Sequence, residues 1–175
     1  MIYTDRVLKH PEFLRIMNRI KEQETERIYC HHELEHALDV ARIAWILFLE
    51  EVVEAQTEVL ARRERMLLKD ELYVCALLHD IGRSAQYETG IHHSETGLII
   101  AKEILTDVQC PQEWVDEILN VLAGHHGRSK KPKASEMDLG YYIGKADHDC
   151  RLCFFCEAKD SCKWGLEDRN TTVEW

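Results

Sequence analysis

Proline and glycine are scarce in this chain. Three prolines and eight glycines occur in 175 residues, and no stretch sustains an alternation of apolar and polar residues. That excludes a fold made of many short strands. No apolar run is long enough to cross a bilayer. The opening Met1-Ile2-Tyr3-Thr4-Asp5-Arg6 has no signal-peptide pattern, so a cytoplasmic protein is expected. Positive charge is also in deficit, with 22 Lys and Arg against 32 Asp and Glu and a formal net charge of −10. This argues against a general nucleic-acid-binding surface. It leaves room for a small phosphorylated substrate, because bound metal reverses a local field. Repeats and low-complexity tracts are missing as well.

What is present is a 45% hydrophobic content, enough for one folded domain. Helical periodicity runs through most of it. Pro11 suits the first turn of a helix reaching about Ile28, with Phe13, Ile16, Met17 and Ile20 as its apolar stripe. A second helix is expected from Glu33 to about Val53, burying Ala37, Leu38, Ala41, Ala44 and Leu47 or Phe48. Glu50 to Glu71 is dense in charge and reads as a polar connecting helix or loop. Tyr87 to Ile91, containing Gly90, reads as a loop. Further helices run from His93 or Ser94 through Leu105, and from Cys110-Pro111 to near His125-His126-Gly127. Ser135, with Asp138 three residues on, is a weak cap for a last helix carrying Leu139, Ile143 and Asp147. The expected fold is all-α: a compact multi-helix bundle over residues 1–149, with an irregular cysteine-rich tail at 150–175 packed on the same domain.

Ten histidines and seven cysteines stand out. Leu72, Cys75, Ala76 and His79 share one helical face, and Asp80 follows directly. An ionised carboxylate at the end of an inward face is costly without compensation. A divalent cation supplies it, since imidazole and carboxylate both ligate zinc, iron and manganese. Gly82 is expected to break the helix, and Arg83 places a phosphate-capable side chain nearby. A lone His-Asp pair is more often a surface or capping pair. Three other helices, however, also aim an ionisable group inward. His36 shares a stripe with Val40, Ile43 and Leu47; His125 follows Ile118 and Leu122; Asp147 follows Leu139 and Ile143. Each alone reads as a satisfied core group. Together they match the way helical bundles build metal sites. His10, His31, His92 and His148 are expected at the surface.

His36, the pair His79-Asp80 and the distant Asp147 stand in order, within His36-Ala37-Leu38-Asp39-Val40-Ala41-Arg42, Ala76-Leu77-Leu78-His79-Asp80-Ile81-Gly82-Arg83 and Lys145-Ala146-Asp147. The chain thereby resembles the HD-domain phosphohydrolase superfamily over roughly Cys30 to Arg151, with Arg83 where that family usually has Lys. The resemblance implies one or two divalent ions (Fe, Mn, Zn, Ni, Co or Mg) and hydrolysis of a nucleotide-like phosphoester or phosphoanhydride by metal-activated water. It also implies roles. His36, His79, Asp80 and Asp147 would hold one metal. His93, in His93-Ser94-Glu95-Thr96-Gly97, and His125 or His126 match the two added histidines of the binuclear branch. The Gly-Tyr-Pro signature of the cyclic-dinucleotide members is absent. Asp80 and Arg83 would be the catalytic residues. Arg83, Lys130 and Lys131, with Lys133, would meet phosphates, although a solvated turn explains that basic loop equally well. His32, four residues before His36, is either a further ligand or a hydrogen-bond partner of one. The competing reading is a non-catalytic metal- or nucleotide-binding sensor or scaffold. Oligomerisation is open.

Cys150, Cys153, Cys156 and Cys162 give C-x2-C-x2-C-x5-C. Clustered thiolates repel one another unless a cation joins them, so zinc or an iron–sulfur cluster is one reading. Reduced thiols packed against Phe154, Phe155 and Trp164 is the other. The segment also resembles a tail of a bacterial subgroup of HD proteins, in which Cys153, Cys156 and Cys162 match and Cys150 is not required. Cys30, Cys75 and Cys110 read as ordinary core or near-core residues.

Overall fold

In a computed structural model, residues 1–54, 62–124 and 138–173 are described. Among them eight α-helices carry the fold: α1 (Ile2–Leu8), α2 (Pro11–Gln23), α3 (Leu34–Glu54), α4 (Arg62–Leu78), α5 (Arg83–Thr89), α6 (His93–Asp107), α7 (Gln112–Gly124) and α8 (Leu139–Asp149). No described residue lies in a strand, and the protein is all-α. None of these helices is long and apolar enough to cross a membrane.

α3 packs on α4 and on α8, and this trio is the centre of the molecule. Small residues let the axes approach: Ala37, Ala41 and Ala44 on α3, Ala76 on α4 and Ala146 on α8 are all buried. Leu72, Leu77, Leu78 and Ile143 fill the remaining space and are almost wholly enclosed, each stabilising the fold by roughly 2 kcal/mol. The α2 stripe of Phe13, Ile16, Met17 and Ile20 is buried as its spacing requires. α6 and α7 pack together, and α5 lies between α2 and α6.

Several boundaries differ from the sequence expectation. α2 stops at Gln23 instead of continuing to about Ile28, because the next side chain, Glu24, is drawn inward and only 1% exposed. Tyr87 to Thr89 are helical, not loop; α5 ends only where Gly90 takes φ +76°, a conformation suited to a residue without Cβ. α4 ends at Leu78, so Gly82 is not the residue that stops it. Within the charge-dense stretch, α3 runs to Glu54 and α4 begins at Arg62. Ser135, the expected cap, lies outside the described residues. Asp138 caps α8, its Oδ1 accepting the Tyr141 N–H at 3.0 Å.

The tail is tied to the end of α8 chiefly through Asn170. Asn170 is 3% exposed, and its Nδ2 donates to the carbonyls of His148, Asp149 and Arg151 at 2.9, 3.1 and 2.9 Å. These carbonyls lie at and just beyond the C-terminus of α8, where intrahelical donors run out. Beyond α8 the backbone makes single 3-10 turns at Cys153–Phe155, Lys159–Ser161 and Leu166–Asp168.

α1 was not expected, being too short for a periodic signal. Asp70 on α4 anchors it: its carboxylate accepts the N–H groups of Tyr3 (3.1 Å) and Thr4 (2.8 Å) and the Thr4 hydroxyl (2.7 Å). Asp70→Ala leaves those donors buried and unmet, and is expected to cost about 3 kcal/mol. Urea denaturation should show a lower midpoint with an unchanged slope.

Candidate metal centre

α4 delivers His79 to the interior, and the chain then turns sharply. Ile81 N–H donates to Leu78 O at 3.2 Å, and Arg83 N–H to Asp80 O at 2.9 Å. Asp80 therefore sits at the junction of α4 and α5, 6% exposed. α3 contributes His36 and α8 contributes Asp147. One donor atom from each of His36, His79, Asp80 and Asp147 lies within 4.8 Å of the others, so this group could hold a metal ion. The separations are 3.3 Å for His36 Nε2 to Asp147 Oδ1, 3.3 Å for His79 Nε2 to Asp80 Oδ2, and 3.9 Å for His36 Nε2 to Asp80 Oδ2.

Two more imidazoles reach the same carboxylate. His93 Nε2 at the start of α6 is 3.4 Å from Asp80 Oδ1, and His32 Nε2 is 3.9 Å from Asp80 Oδ2. In all four histidines the other ring nitrogen is engaged elsewhere. Nδ1 of His79 meets Ala76 O at 2.7 Å, and Nδ1 of His93 meets Gln86 Oε1 at 2.9 Å. Nδ1 of His32 meets Glu24 Oε1 at 2.5 Å, and Nδ1 of His36 meets Cys150 Sγ at 3.5 Å. A histidine whose Nδ1 is held by an acceptor presents Nε2 as a lone pair, the arrangement found behind metal ligands. His36 Nε2 is buried without a hydrogen bond of acceptable geometry. The donor set and that orphaned atom fit a divalent ion.

Electrostatics agree. Burial would raise the Asp80 carboxyl, but His79, Arg83 and His32 together hold it well below the usual carboxylate range. Burial likewise opposes ionisation of Asp147, yet His36 and His79 bring it down to about 2. For His79 burial alone would lower the imidazole, and the carboxylates of Asp80 and Asp147 overcome it and raise it to about 9. Without metal the site is an ion cluster in which His79 carries the positive charge. Arg83 adds to it, with Nε donating to Asp80 Oδ1 at 2.9 Å.

Gly82 has a packing role. A Cβ there would collide with the His93 carbonyl oxygen and stand 2.6 Å from Gly97 N and 2.8 Å from Thr96 Oγ1. Its absence lets the α4–α5 turn touch the first turn of α6, which sets His93 beside Asp80.

The structure brings together six of the histidines and aspartates singled out above: His32, His36, His79, Asp80, His93 and Asp147. His125, His126, Lys130, Lys131 and Lys133 lie outside the described residues. Cys150 Sγ stands against His36 Nδ1. Of the histidines expected at the surface, His92 is exposed, whereas His10, His31 and His148 are half-buried. His148 is held between Asp149 (3.1 Å) and the Asp168 carbonyl (3.1 Å).

Some contributors escaped the sequence reading. Glu24 accepts from His32 Nδ1, from the His32 N–H at 2.6 Å and from the Tyr87 hydroxyl. Those bonds outweigh its burial and bring it to about 2. Its signal was present: Glu24 is the next position on the stripe Phe13, Ile16, Met17, Ile20. Gln86 and Tyr87 carried no comparable signal.

Comparison with known proteins is consistent with this geometry. A family model described as "HD domain" matches residues 33–158. A protein of Clostridium beijerinckii, described as "Uncharacterized protein", is 35% identical over 167 residues, 95% of each chain. Ribonuclease Y of Acetivibrio thermocellus is 30% identical over 118 residues, 67% of this chain and 18% of that protein. Ribonuclease Y of Nitratiruptor sp. is 29% identical over 129 residues, 74% and 20% respectively. The chain thus spans about a fifth of the Ribonuclease Y proteins that it matches. No solved structure matches significantly.

Metal ligation needs neutral imidazole, so loading must expel the His79 proton. With His79 raised to about 9, apparent metal affinity should rise about tenfold per pH unit between roughly pH 6 and 8. Calorimetry in buffers of different ionisation enthalpy should show the released proton. In metal-free protein the sign for stability is opposite. The contribution from His79 is complete below the usual imidazole range and is lost as pH rises through about 9. Gly82→Ala should displace His93 and cost about 2 kcal/mol, read as a lower melting temperature with reduced metal content.

Proposed function

Since the chain belongs to the HD-domain family, a superfamily of metal-dependent phosphohydrolases, we propose that it hydrolyses a phosphoester or phosphoanhydride of a small nucleotide-like molecule. The observation that carries this reading is the convergence of four Nε2 atoms on Asp80 and Asp147. His36, His79, Asp80 and Asp147 would hold one divalent ion. Asp80 and His93 would reach a second, with His125 or His126 as further ligands. Iron, manganese, zinc, nickel, cobalt and magnesium all remain in contention, because affinity and availability decide loading. When bound, such ions supply Lewis acidity that lowers the pKa of water and offsets charge on phosphate oxygens.

The protein's own groups do the rest. Ala76, Gln86, Glu24 and Cys150 fix the four rings, so ligand geometry is set before substrate arrives. Arg83 keeps Asp80 ionised through Nε, and the remaining guanidinium donors suit a non-bridging phosphate oxygen. Glu24 and Tyr87 position His32 with Nε2 toward Asp80, as a further ligand or a hydrogen-bond partner of one. Lys130 and Lys131, with Lys133, are the proposed contacts for distal phosphates. All seven cysteines are free thiols, which suits a reducing, cytosolic setting.

The Ribonuclease Y relatives raise RNA as a competing substrate. The net charge of −10 disfavours a long polyanion, so a small substrate is preferred. The experiment is phosphate or nucleotide release from a panel of mononucleotides, dinucleoside polyphosphates and short RNA, with added manganese, iron or zinc. Turnover of a small nucleotide is expected; turnover of RNA alone would replace the substrate class. Binding across the panel without turnover would establish a sensor or scaffold instead. Asp80→Ala should abolish turnover and metal binding together, and unchanged values for both would refute the assignment.

A further inference from the structure

Beside the His/Asp centre lies a cavity of about 370 Å³, lined by five of the seven cysteines: Cys30, Cys150, Cys153, Cys156 and Cys162. None is in a disulfide. The sequence reading took the last four as one set. All four line this cavity, but Cys150 has partners in the His/Asp centre that the other three lack. Cys150 Sγ donates to Asp147 O at 3.3 Å and faces His36 Nδ1 at 3.5 Å. Cys150 is thus engaged by the His/Asp centre through its sulfur.

Cys30, from the connection between α2 and α3, takes its place. It lines the cavity and is exposed, not the core or near-core residue expected from sequence. The cavity wall and the neighbouring Cys153, Cys156 and Cys162 push its thiol above the ordinary range. The backbone is built to present these residues together. Cys156 N–H donates to Cys153 O at 3.3 Å, closing a tight turn between two residues that both line the cavity. Cys162 directly follows the next 3-10 turn. Arg27 Nε holds Cys30 O at 2.8 Å, and Arg169 Nη2 holds Cys162 O at 3.3 Å. The Tyr29 hydroxyl bridges the two segments through Ser161 O (3.4 Å) and Ser161 Oγ (3.3 Å). Arg151, Lys159 and Arg169 line the same cavity. Three cationic side chains in an otherwise acidic protein thus face the same cavity as the thiols.

Size selects the occupant. Tetrahedral zinc with ~2.3 Å bonds draws its thiolates to ~3.8 Å of one another. Among the described residues, no three His, Cys, Asp or Glu donor atoms outside the His/Asp centre lie within 4.8 Å of one another. A cluster of several irons and sulfides spreads its four thiolates more widely and needs a cavity, not a point. We propose that Cys30, Cys153, Cys156 and Cys162 ligate an iron–sulfur cluster in this cavity, with Cys150 outside the ligand set.

The test is anaerobic purification of the full chain, reconstitution with ferrous iron and sulfide, and measurement of iron, zinc, acid-labile sulfide and visible charge-transfer absorption. Iron with matching sulfide is expected in the wild type and in Cys150→Ser, and loss of both the sulfide and the absorption in Cys30→Ser and Cys153→Ser. Circular dichroism checks that each variant is folded, with Cys30→Ala taking over where Cys30→Ser is not. No sulfide in the reconstituted wild type overturns the proposal. So does thiolate-bound zinc without sulfide, or sulfide lost in Cys150→Ser but kept in Cys30→Ser. Sulfide is foreign to a His/Asp centre, so a failure here leaves the phosphohydrolase reading standing.

Discussion

A buried carboxylate governs this structure. Asp80 is enclosed at the meeting point of three segments, and a lone anion there would cost several kcal/mol. The fold answers by surrounding it with imidazole Nε2 atoms and the Arg83 guanidinium. Every element near it can be read as serving that purpose. α4 ends one residue before His79, the turn after it is short, and α6 comes close enough to contribute His93 only because Gly82 has no side chain.

The supporting contacts make the site rigid in a particular sense. The four rings are each held at Nδ1 by a chemically different partner: a backbone carbonyl, a carboxylate, an amide oxygen and a thiol. None of these partners is adjacent in sequence to the ring it holds. A ring fixed through one nitrogen can offer the other only along a set direction. The price of such order is borne by the surrounding helices, whose close packing leaves these side chains few alternative rotamers.

The tail belongs to this arrangement as well. Asn170 closes the end of α8, the helix that carries Asp147, and Cys150 lies between Asp147 and His36. The cysteine-lined cavity shares His36 with the His/Asp centre. Two chemically distinct groups of side chains therefore meet across one histidine, nitrogen and oxygen donors on one side and thiols on the other.

His36, His79-Asp80 and Asp147 were legible because each ends or interrupts an apolar stripe, and a helix repeats its faces every 3.6 residues whatever it later packs against. The same periodicity predicted α3, α6 and α7 closely, and it would have singled out Glu24 had the stripe of α2 been followed one step further. It could not reveal α1, whose stability comes from Asp70 on another helix. Nor could it predict that Cys30 would face the tail, more than a hundred residues on, or that Cys150 would meet His36. By itself the sequence determined an all-helical chain and the order of its inward-facing ionisable groups, since both follow from local spacing. Tertiary structure alone decided which ring nitrogens point at Asp80 and which thiols share a cavity, because those outcomes depend on how distant helices approach, and approach is set by packing.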